Sequence, residues 1–167
     1  MTTPLQNVLT RMAAMFVDID NEASALPRPI VGFSGPPTEA ISDDMLPVMV
    51  PVVSTATNTE QTRGVIRTQR TITARMLLAP VQEGVDAAYL GSEKYAEAVP
   101  YLDYVYWYFC NHPRMSTSTL GDLAGVLDVR IASDTGIVAR VAPGGAQYWS
   151  IDFSVAVLLN MQYCLTL

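Results

Sequence analysis

Few residues in this chain could do chemistry, and their spacing does not bring them together. His112 is the only histidine, and Cys110, two positions before it, is one of two cysteines. Side chains two positions apart on a helix point in different directions, so this pair is not expected to work as nucleophile and base. His112 also precedes Pro113 at the expected end of a helix, where an exposed imidazole interacts favourably with the helix C-terminus. The sequence therefore favours a structural role for His112.

The sequence indicates neither a cofactor site nor a metal site. The two cysteines and the histidine lack the spacing of zinc ligands. Acidic groups occur at 18–22 and at 43–44, and adjacent acids of this kind are usually solvated surface. The stretch "APGGAQ" (142–147) has the glycines of a phosphate loop but lacks its Lys-Ser/Thr pair, so it is interpreted as a hairpin turn. No catalytic residue is assigned, and we expect the protein not to be an enzyme.

Three arginines form the most distinctive charged pattern. Arg63, Arg67 and Arg75 share the polar side of one long predicted strand, because alternate residues of a strand point the same way. A solvated row of arginines is the commoner case. The alternative is that they contact acids of an adjacent subunit, for which Asp128 and Asp152, on polar positions of other strands, are the candidates.

A helix crowded with aromatic residues is predicted to begin at Pro100 and to end at Pro113. Its core face is expected to consist of Leu102, Val105, Tyr106 and Phe109. Three more aromatic residues extend beyond that face, where they either cover the sheet or contact a neighbouring subunit. Together with the charged residues above, they make up the candidate subunit interface: Tyr104, Trp107, Tyr108, Arg63, Arg67, Arg75, Asp128 and Asp152.

An amphipathic helix is predicted at the start of the chain. Thr3 can serve as its N-cap, Pro4 occupies the first helical position, and Gln6 completes a capping box. Apolar residues recur at helical spacing until the helix fades near 22–25. Residues 26–45 are rich in proline and glycine and are expected to be irregular, as a functional segment or as a plain arm that wraps the domain.

Alternating patterns predict two strands before the aromatic helix. The first, 46–53, is expected to be an edge strand or irregular, because Pro47 and Pro51 cannot donate ladder hydrogen bonds. Residues 54–62 are interpreted as a polar hairpin loop. The second strand, 63–79, has one apolar face for a core and one polar face.

Three more strands are predicted after the aromatic helix. The first two, 127–131 and 137–141, are connected by "SDTG" (133–136), which is interpreted as a tight turn. The last strand is predicted to be long, because every second residue from Trp149 to Leu165 is apolar and several of the residues between them are polar. Short connections of this kind predict an antiparallel meander.

The order of elements is therefore α-β-β-α-β-β-β, which is typical of the α+β class. We expect one domain, 1–167, with a mainly antiparallel sheet of about five strands and two main helices packed on one face of it. The apolar side chains Trp149, Ile151, Phe153, Val155 and Val157 are expected to point from the last strand toward the first helix.

Composition narrows the class of partners. Charged residues make up 16% of the chain, against about 25% in a typical soluble domain, which favours a surface covered by other copies of the chain. A net charge of −6 argues against general nucleic-acid binding. No targeting segment and no apolar run long enough for a membrane span is visible. Cys110 and Cys164 are expected to be buried thiols in a reducing cytoplasm.

Several stretches, taken in order, resemble the tail terminator (tail completion) proteins of long-tailed bacteriophages. After the amphipathic first helix these stretches are "LPVMVPVV", "RGVIRTQRTITARMLL", "VPYLDYVYWYFCNHPRM", "VLDVRIASDTGIVAR" and "GGAQYWSIDFSVAVLL". The resemblance is one of pattern and order over most of the chain, and the Pro-rich segment 26–45 departs from it.

The resemblance implies a structural role in the virion, in the tail or neck, after assembly in the host cytoplasm. Such proteins form a hexameric ring that caps the tail tube, and their partners are further copies, the tail tube protein and the head-completion connector. No sequence-specific contact with DNA is implied, although DNA can pass through the ring. The alternatives are another head–tail connector, neck or baseplate component, or, in a different class, a small ligand-binding or hydrolytic α+β domain.

Overall fold

The computed structural model describes residues 4–23, 26–37, 41–62, 65–81, 87–142 and 145–162. Its helices and strands are α1 (Pro4–Ala23), β1 (Val31–Gly32), β2 (Val48–Thr62), β3 (Val65–Pro80), α2 (Ala87–Asn111), β4 (Val126–Asp134), β5 (Val138–Val141) and β6 (Gln147–Gln162), with a 3-10 helix at Asp43–Met45. The predicted α+β order is confirmed, with the short strand β1 added to it. Thr3, the predicted N-cap, and Cys164 lie outside the described residues.

The six strands form one sheet in the order β1-β2-β3-β6-β4, and β5 also pairs with β6. All pairs are antiparallel except β1 with β2, which is parallel. The prediction of a mainly antiparallel sheet of about five strands is therefore corrected to a mixed sheet of six. A strand of two residues has no periodicity that a sequence pattern could reveal.

The predicted tight turn at 133–136 is wrong as a hairpin, because β4 and β5 do not pair with each other. β4 pairs with Phe153–Leu159 of β6 and β5 with Gln147–Ser150, while β3 occupies the opposite edge of β6 along its length. The two strands therefore continue one another along one edge. Gly136, at φ 61°, still supplies the predicted left-handed residue at the break between them.

Residues 54–62, which were predicted to form a polar loop, continue β2 as a strand. β2 and β3 pair in antiparallel register as far as Thr62 and Val65, so two residues connect them. The irregularity predicted for the first strand is confirmed, since the register shifts between Pro51 and Val53. β1 pairs with β2 at Val48 and Met49, so Pro51 lies beyond the rows paired with β1, as expected for a proline near a sheet edge.

Both helices pack on one face of the sheet, as predicted. The helix-side core joins apolar residues of α1 and α2 to alternate residues of β3 and β6. Phe16 of α1 lies at its centre, with ring centroids 5.6 Å from Phe109 and 6.1 Å from Phe153. Ile151, Val155 and Val157 join this cluster, but Trp149 is buried outside it, which corrects its predicted contact with the first helix.

α2 begins at Ala87 rather than at Pro100, which corrects the predicted helix start. The residues before Pro100 include many strong helix formers, and these outweigh the proline as a boundary signal. The buried face of α2 also differs from the predicted one, because Leu102 and Tyr106 are only partly buried. Its fully packed positions are Ala98, Tyr101, Val105, Tyr108 and Phe109.

The described part of the segment 26–45 packs along the edge of the sheet and contains β1 and the 3-10 helix, and whether the segment has a function stays a prediction. Ile30 packs in the helix-side core, while Val31 and Phe33 pack in a second cluster with residues of β2, β3 and β6. Gly32 lies between these positions, where an added Cβ would collide with the carbonyl oxygen of Ala13 in α1. The arm therefore packs against both sides of the sheet at the edge formed by β1.

Candidate functional site

The side of the sheet away from α1 and α2, called here the helix-free face, is the most extensive candidate for an interaction surface. Its residues alternate along each strand with those of the helix-side core. The second apolar cluster covers one end of it. Beyond that end, small residues, most of them polar, lie in neighbouring rows of β3, β6 and β4: Thr71, Thr73, Ala156, Ser154 and Ser133.

An ion pair within the chain stands in the middle of the helix-free face. Arg75 and Asp152 are register partners on β3 and β6, and the guanidinium donates two hydrogen bonds, from Nε to Oδ1 at 2.7 Å and from Nη2 to Oδ2 at 2.9 Å. The hydrogen bond to Asp152 raises the pKa of Arg75 further above its usual value. Arg140 of β5 approaches the same carboxylate, with its Nε 3.7 Å from Oδ2.

This pair corrects the sequence interpretation for two of the candidate interface residues. The sequence left Arg75 either solvated or in contact with an acid of an adjacent subunit, for which Asp152 was one of the candidates. The structure joins them to each other within one chain, in the bidentate geometry that orients both groups. Their charges are therefore largely satisfied before any second copy approaches.

Two further predicted charged residues, Arg67 and Asp128, also lie on the helix-free face. Arg67 is exposed and lies opposite Asn160 of β6. Asp128, on β4, lies opposite Leu158, and Arg130 follows on the same side of β4, opposite Ala156, and is exposed. Arg63 lies outside the described residues. Whether Arg67 and Asp128 belong to an interface stays a prediction.

The three aromatic candidates on α2 separate into one buried and two more exposed residues. Tyr108 is 0% exposed, which excludes it from a subunit interface and corrects its assignment. Trp107 is 46% exposed. Tyr104 is partly buried against the helix-side core and meets Trp107 edge to face, with centroids 6.3 Å apart.

Tyr108 instead belongs to a buried polar cluster built around Asp18 of α1. The Tyr108 hydroxyl donates to Asp18 Oδ2 at 2.6 Å. The same carboxylate accepts hydrogen bonds from the backbone N–H (2.6 Å) and the side-chain hydroxyl of Ser118, and from Asn21 Nδ2 at 3.2 Å. The cluster ties α1, α2 and the loop after α2 together.

These hydrogen bonds shift the pKa values of both Asp18 and Tyr108. Burial acts to raise the pKa of Asp18, but the hydrogen bonds from Ser118 and then Tyr108 outweigh it and lower that pKa to about 2. Burial, and then the hydrogen bond to ionised Asp18, raise the pKa of Tyr108 far above its usual value. Asp18 is therefore a carboxylate and Tyr108 a neutral donor at neutral pH.

His112 lies next to this cluster rather than exposed at the helix end. Its ring stacks on Tyr108 at 4.3 Å between centroids, and its Nδ1 and Nε2 lie 3.0 Å from Ser116 Oγ and Glu22 Oε2. These contacts with Tyr108, Ser116 and Glu22 are those expected if His112 has a structural role. Ser-His-Glu is also the residue set of some hydrolases, so the arrangement needs a chemical test. Cys110 is exposed, which corrects its predicted burial.

Sequence reasoning missed the partners of Asp18 and His112. Asp18 was grouped with Glu22 as solvated surface, and Ser116 and Ser118 were part of a polar loop without assigned roles. The available signal was the position of Asp18 on the wheel of α1, between Met15 and Ile19, which form the buried stripe. A polar residue beside a buried stripe requires a hydrogen-bonding partner.

The described residues define a broad class of fold. Within the described ranges, no helix is long and apolar enough to cross a membrane, and no three His, Cys, Asp or Glu side chains are placed to hold a metal ion. The fold defines an α+β protein with two helices on one side of a mixed six-stranded sheet. No protein-family model matches the chain, and no curated protein matches it.

Proposed function

We propose that this chain is a structural virion protein of the tail terminator type, which forms a ring on a bacteriophage tail tube and joins it to the head-side connector. The supporting observation is the helix-free face, a broad surface of small polar residues and arginines on the opposite side from both helices. A sheet face of this kind suits a flat contact with another protein. The resemblance of the sequence pattern supplies the particular assembly.

The length of the strands also supports an assembly role. β2, β3 and β6 contain 15, 16 and 16 residues, whereas strands in globular proteins usually contain about 5–6. The β2–β3 hairpin continues to Thr62 and Val65, beyond the last row in which β4 pairs with β6. Strands that extend past their own neighbours offer backbone and side chains to an adjacent subunit or to the tube.

The assembly state tests this proposal directly. Purified protein should form a closed particle of six chains of 18.2 kDa in native mass spectrometry, with a ring visible by negative-stain electron microscopy. Removal of its gene from a phage genome should leave heads and tails unjoined, and tails of uncontrolled length. Monomers at every concentration, together with normal tails in the deletion, would overturn the proposal.

Another neck or baseplate role is the nearest alternative, and tail length separates the two. A connector that does not end the tube would leave tails of normal length that lack heads. A baseplate component would instead block the start of tube assembly, so no tails would form. Loss of length control is therefore expected only if the protein is a tail terminator.

A hydrolytic function is the second candidate, because Ser116, His112 and Glu22 are joined by two 3.0 Å contacts. If this arrangement were catalytic, Ser116→Ala would abolish cleavage of an activated ester and labelling by a fluorophosphonate probe. We expect neither activity in the wild-type protein. We also expect His112→Ala and Cys110→Ser, alone or together, to assemble normally, with moderate losses of stability for the histidine variant.

A further inference from the structure

The two helices, called here the helix layer, differ in charge from the strand positions on the helix-free face. Where the structure describes side chains, the helix layer has five acids and one arginine: Asp18, Asp20, Glu22, Glu97, Asp103 and Arg11. The strand positions on the helix-free face have four arginines and two acids: Arg67, Arg75, Arg130, Arg140, Asp128 and Asp152. The five acids and one arginine of the helices have a net charge of −4, and the four arginines and two acids of the strand positions have a net charge of +2.

This segregation determines how two copies can approach. Helix layer against helix layer would bring acids together, and sheet face against sheet face would bring arginines together, which disfavours both symmetric contacts. Helix layer against sheet face brings opposite charges together. Such a head-to-tail contact uses different surfaces on the two copies, and contacts of this kind generate rings or open filaments.

The outer side of α2 has a distinct anchor for such a contact. Asp103 and Trp107 are exposed and lie four positions apart, so they are neighbours on one side of the helix. The edge-to-face contact with Tyr104 orients the Trp107 ring before any partner arrives. Tryptophan and arginine are the residue types that most often dominate protein interfaces.

The helix-free face offers a matching surface. Thr71, Ala156 and Arg130 are register partners in one row across β3, β6 and β4. The residues of this row on β3 and β6 are short, while Arg130 at its edge is long and exposed. Thr71 is partly exposed and Ala156 is 7% exposed, so an aromatic ring can lie over this short row mainly against Thr71, with the guanidinium of Arg130 within reach of a neighbouring carboxylate.

We propose that the outer side of α2 in one copy of the chain docks on the helix-free face of the next copy. In this contact Trp107 lies on Thr71 and Ala156, and Asp103 pairs with Arg130. The proposal rests on the proposed ring, because it names the surfaces that join consecutive subunits. Arg75 and Arg140 are held by Asp152 and border the docking surface without being its main contacts.

A charge exchange tests the pairing. Association of wild type, Asp103→Arg, Arg130→Asp and the double variant should be measured by sedimentation velocity and mass photometry over a range of concentrations. Each single reversal is expected to weaken association at least tenfold, and the double exchange should restore most of it. Trp107→Ala should weaken association by a similar factor and should not be rescued by either reversal.

Arg114→Asp is the matched control, because Arg114 is an exposed arginine on the loop after α2, outside both surfaces. It should associate like wild type, and all variants should keep the wild-type circular dichroism spectrum. If wild type forms rings but the reversals do not affect them, the docking surfaces are wrong and the proposed function stands. If the single reversals weaken association and the exchange fails to restore it, the Asp103–Arg130 pair is wrong. Wild type that never associates overturns both proposals.

Discussion

Asp18 is the residue on which most of the buried polar contacts converge. It is 5% exposed and accepts hydrogen bonds from Tyr108, Ser118 and Asn21. A buried carboxylate without such partners would cost several kcal/mol, as effective penalties for unpaired buried ions do. The surrounding donors therefore allow an ionised group to remain at the junction of α1, α2 and the following loop. Arg11 holds the same loop through the carbonyl oxygens of Met115 (2.9 Å) and Gly121 (2.6 Å).

Tyr108→Phe should test the strength of this junction. The variant removes the hydroxyl that donates to Asp18 at 2.6 Å and keeps the buried ring. Because a hydrogen bond to a charged group contributes ~1.5–3 kcal/mol, the free energy of unfolding in urea should fall by about 2 kcal/mol. Tyr106→Phe is the control, since its hydroxyl donates to the exposed Asp134, and its loss should be well under half as large. Equal losses in the two variants would show that the Asp18 cluster has no special role.

The low pKa of Asp18 predicts how stability changes with pH. Its pKa is about 2 in the folded protein, against 3.8 as the ordinary value. Because the folded-state pKa is depressed, the ionised group stabilises the fold above pH 3.8, and this contribution is lost as the pH falls toward 2. The loss should be roughly 2 kcal/mol, at ~1.4 kcal/mol per pKa unit.

Urea unfolding between pH 5 and pH 2 measures this effect in wild type and in Asp18→Asn. The variant should be less stable at neutral pH, because an amide cannot accept all of the same hydrogen bonds. Its stability should also depend less steeply on pH below 4. Parallel pH curves for the two proteins would mean that another carboxylate causes the acid sensitivity.

At the scale of the elements, the contact between β1 and α1 depends on one glycine. An added Cβ at Gly32 would collide with the Ala13 carbonyl oxygen, a backbone atom that cannot move without shifting the helix. Gly32→Ala should lower the free energy of unfolding by about 2 kcal/mol, as overpacked substitutions do. Gly35→Ala is the matched control in the same arm, because nothing lies within 4 Å of its added Cβ. A Gly32→Ala variant as stable as this control would contradict the close approach.

The packing of β6 on the helices predicts a larger effect. Phe153 is fully buried between Phe16 and Tyr106, with ring centroids 6.1 and 6.5 Å away. Phe153→Ala should cost ~3–5 kcal/mol, as large truncations in cores do, and should lower the melting temperature by roughly 10 °C. Ser154→Ala, one position along on the opposite face, should change stability little. A Phe153→Ala protein that melts within a degree or two of wild type would show that the face is assigned wrongly.

The spacing of apolar residues predicted the buried face of a helix or strand better than it predicted which strands pair with each other. The apolar stripe of α1 and the alternation of Ile72, Ala74 and Met76 on β3 are confirmed, because burial follows directly from the spacing of apolar residues. The pairing of β4 and β5 was wrong, because alternation does not reveal which strand lies beside which. Thr135 shows the physical reason, since its N–H donates to the Asp152 carbonyl across the sheet at 3.1 Å. The turn residues thus pair with β6 instead of closing a hairpin.

The sequence predicted which strand face carries the candidate site, but it did not predict which residues of that site contact one another. The polar face of β3 was recognised from alternation, and Arg67 and Arg75 do lie on it. The Arg75–Asp152 pair depends on the register between β3 and β6, which alternation leaves open. The burial of Tyr108 depends on the hydrogen bond to Asp18, 90 residues away in the chain. Long-range polar contacts of this kind have no local signal in the sequence.

At the scale of the whole molecule, the arginines of the helix-free face differ in their burial. Arg75 is partly buried and donates two hydrogen bonds to Asp152, which is buried. Arg67 is exposed at the other end of β3. The net charge of −6 means that copies of the chain repel one another at long range unless oppositely charged faces meet. Assembly should therefore depend on ionic strength, and salt should weaken contacts near the rim of the interface.

Charge reversal at the two positions should therefore have different consequences. Arg75→Glu places a second carboxylate beside Asp152, so the free energy of unfolding should fall by about 3 kcal/mol, as for other broken ion pairs that are largely buried. Arg67→Glu, at an exposed position, should lower the free energy of unfolding by less than half as much, because contacts of exposed charges are screened by water. If the exposed end of β3 contacts a neighbouring subunit, Arg67→Glu should nevertheless weaken ring formation, and high salt should partly mimic the defect in wild type. Equal stability of the two variants would contradict the intrachain role of Arg75, and normal rings with Arg67→Glu would place that end of β3 in solvent.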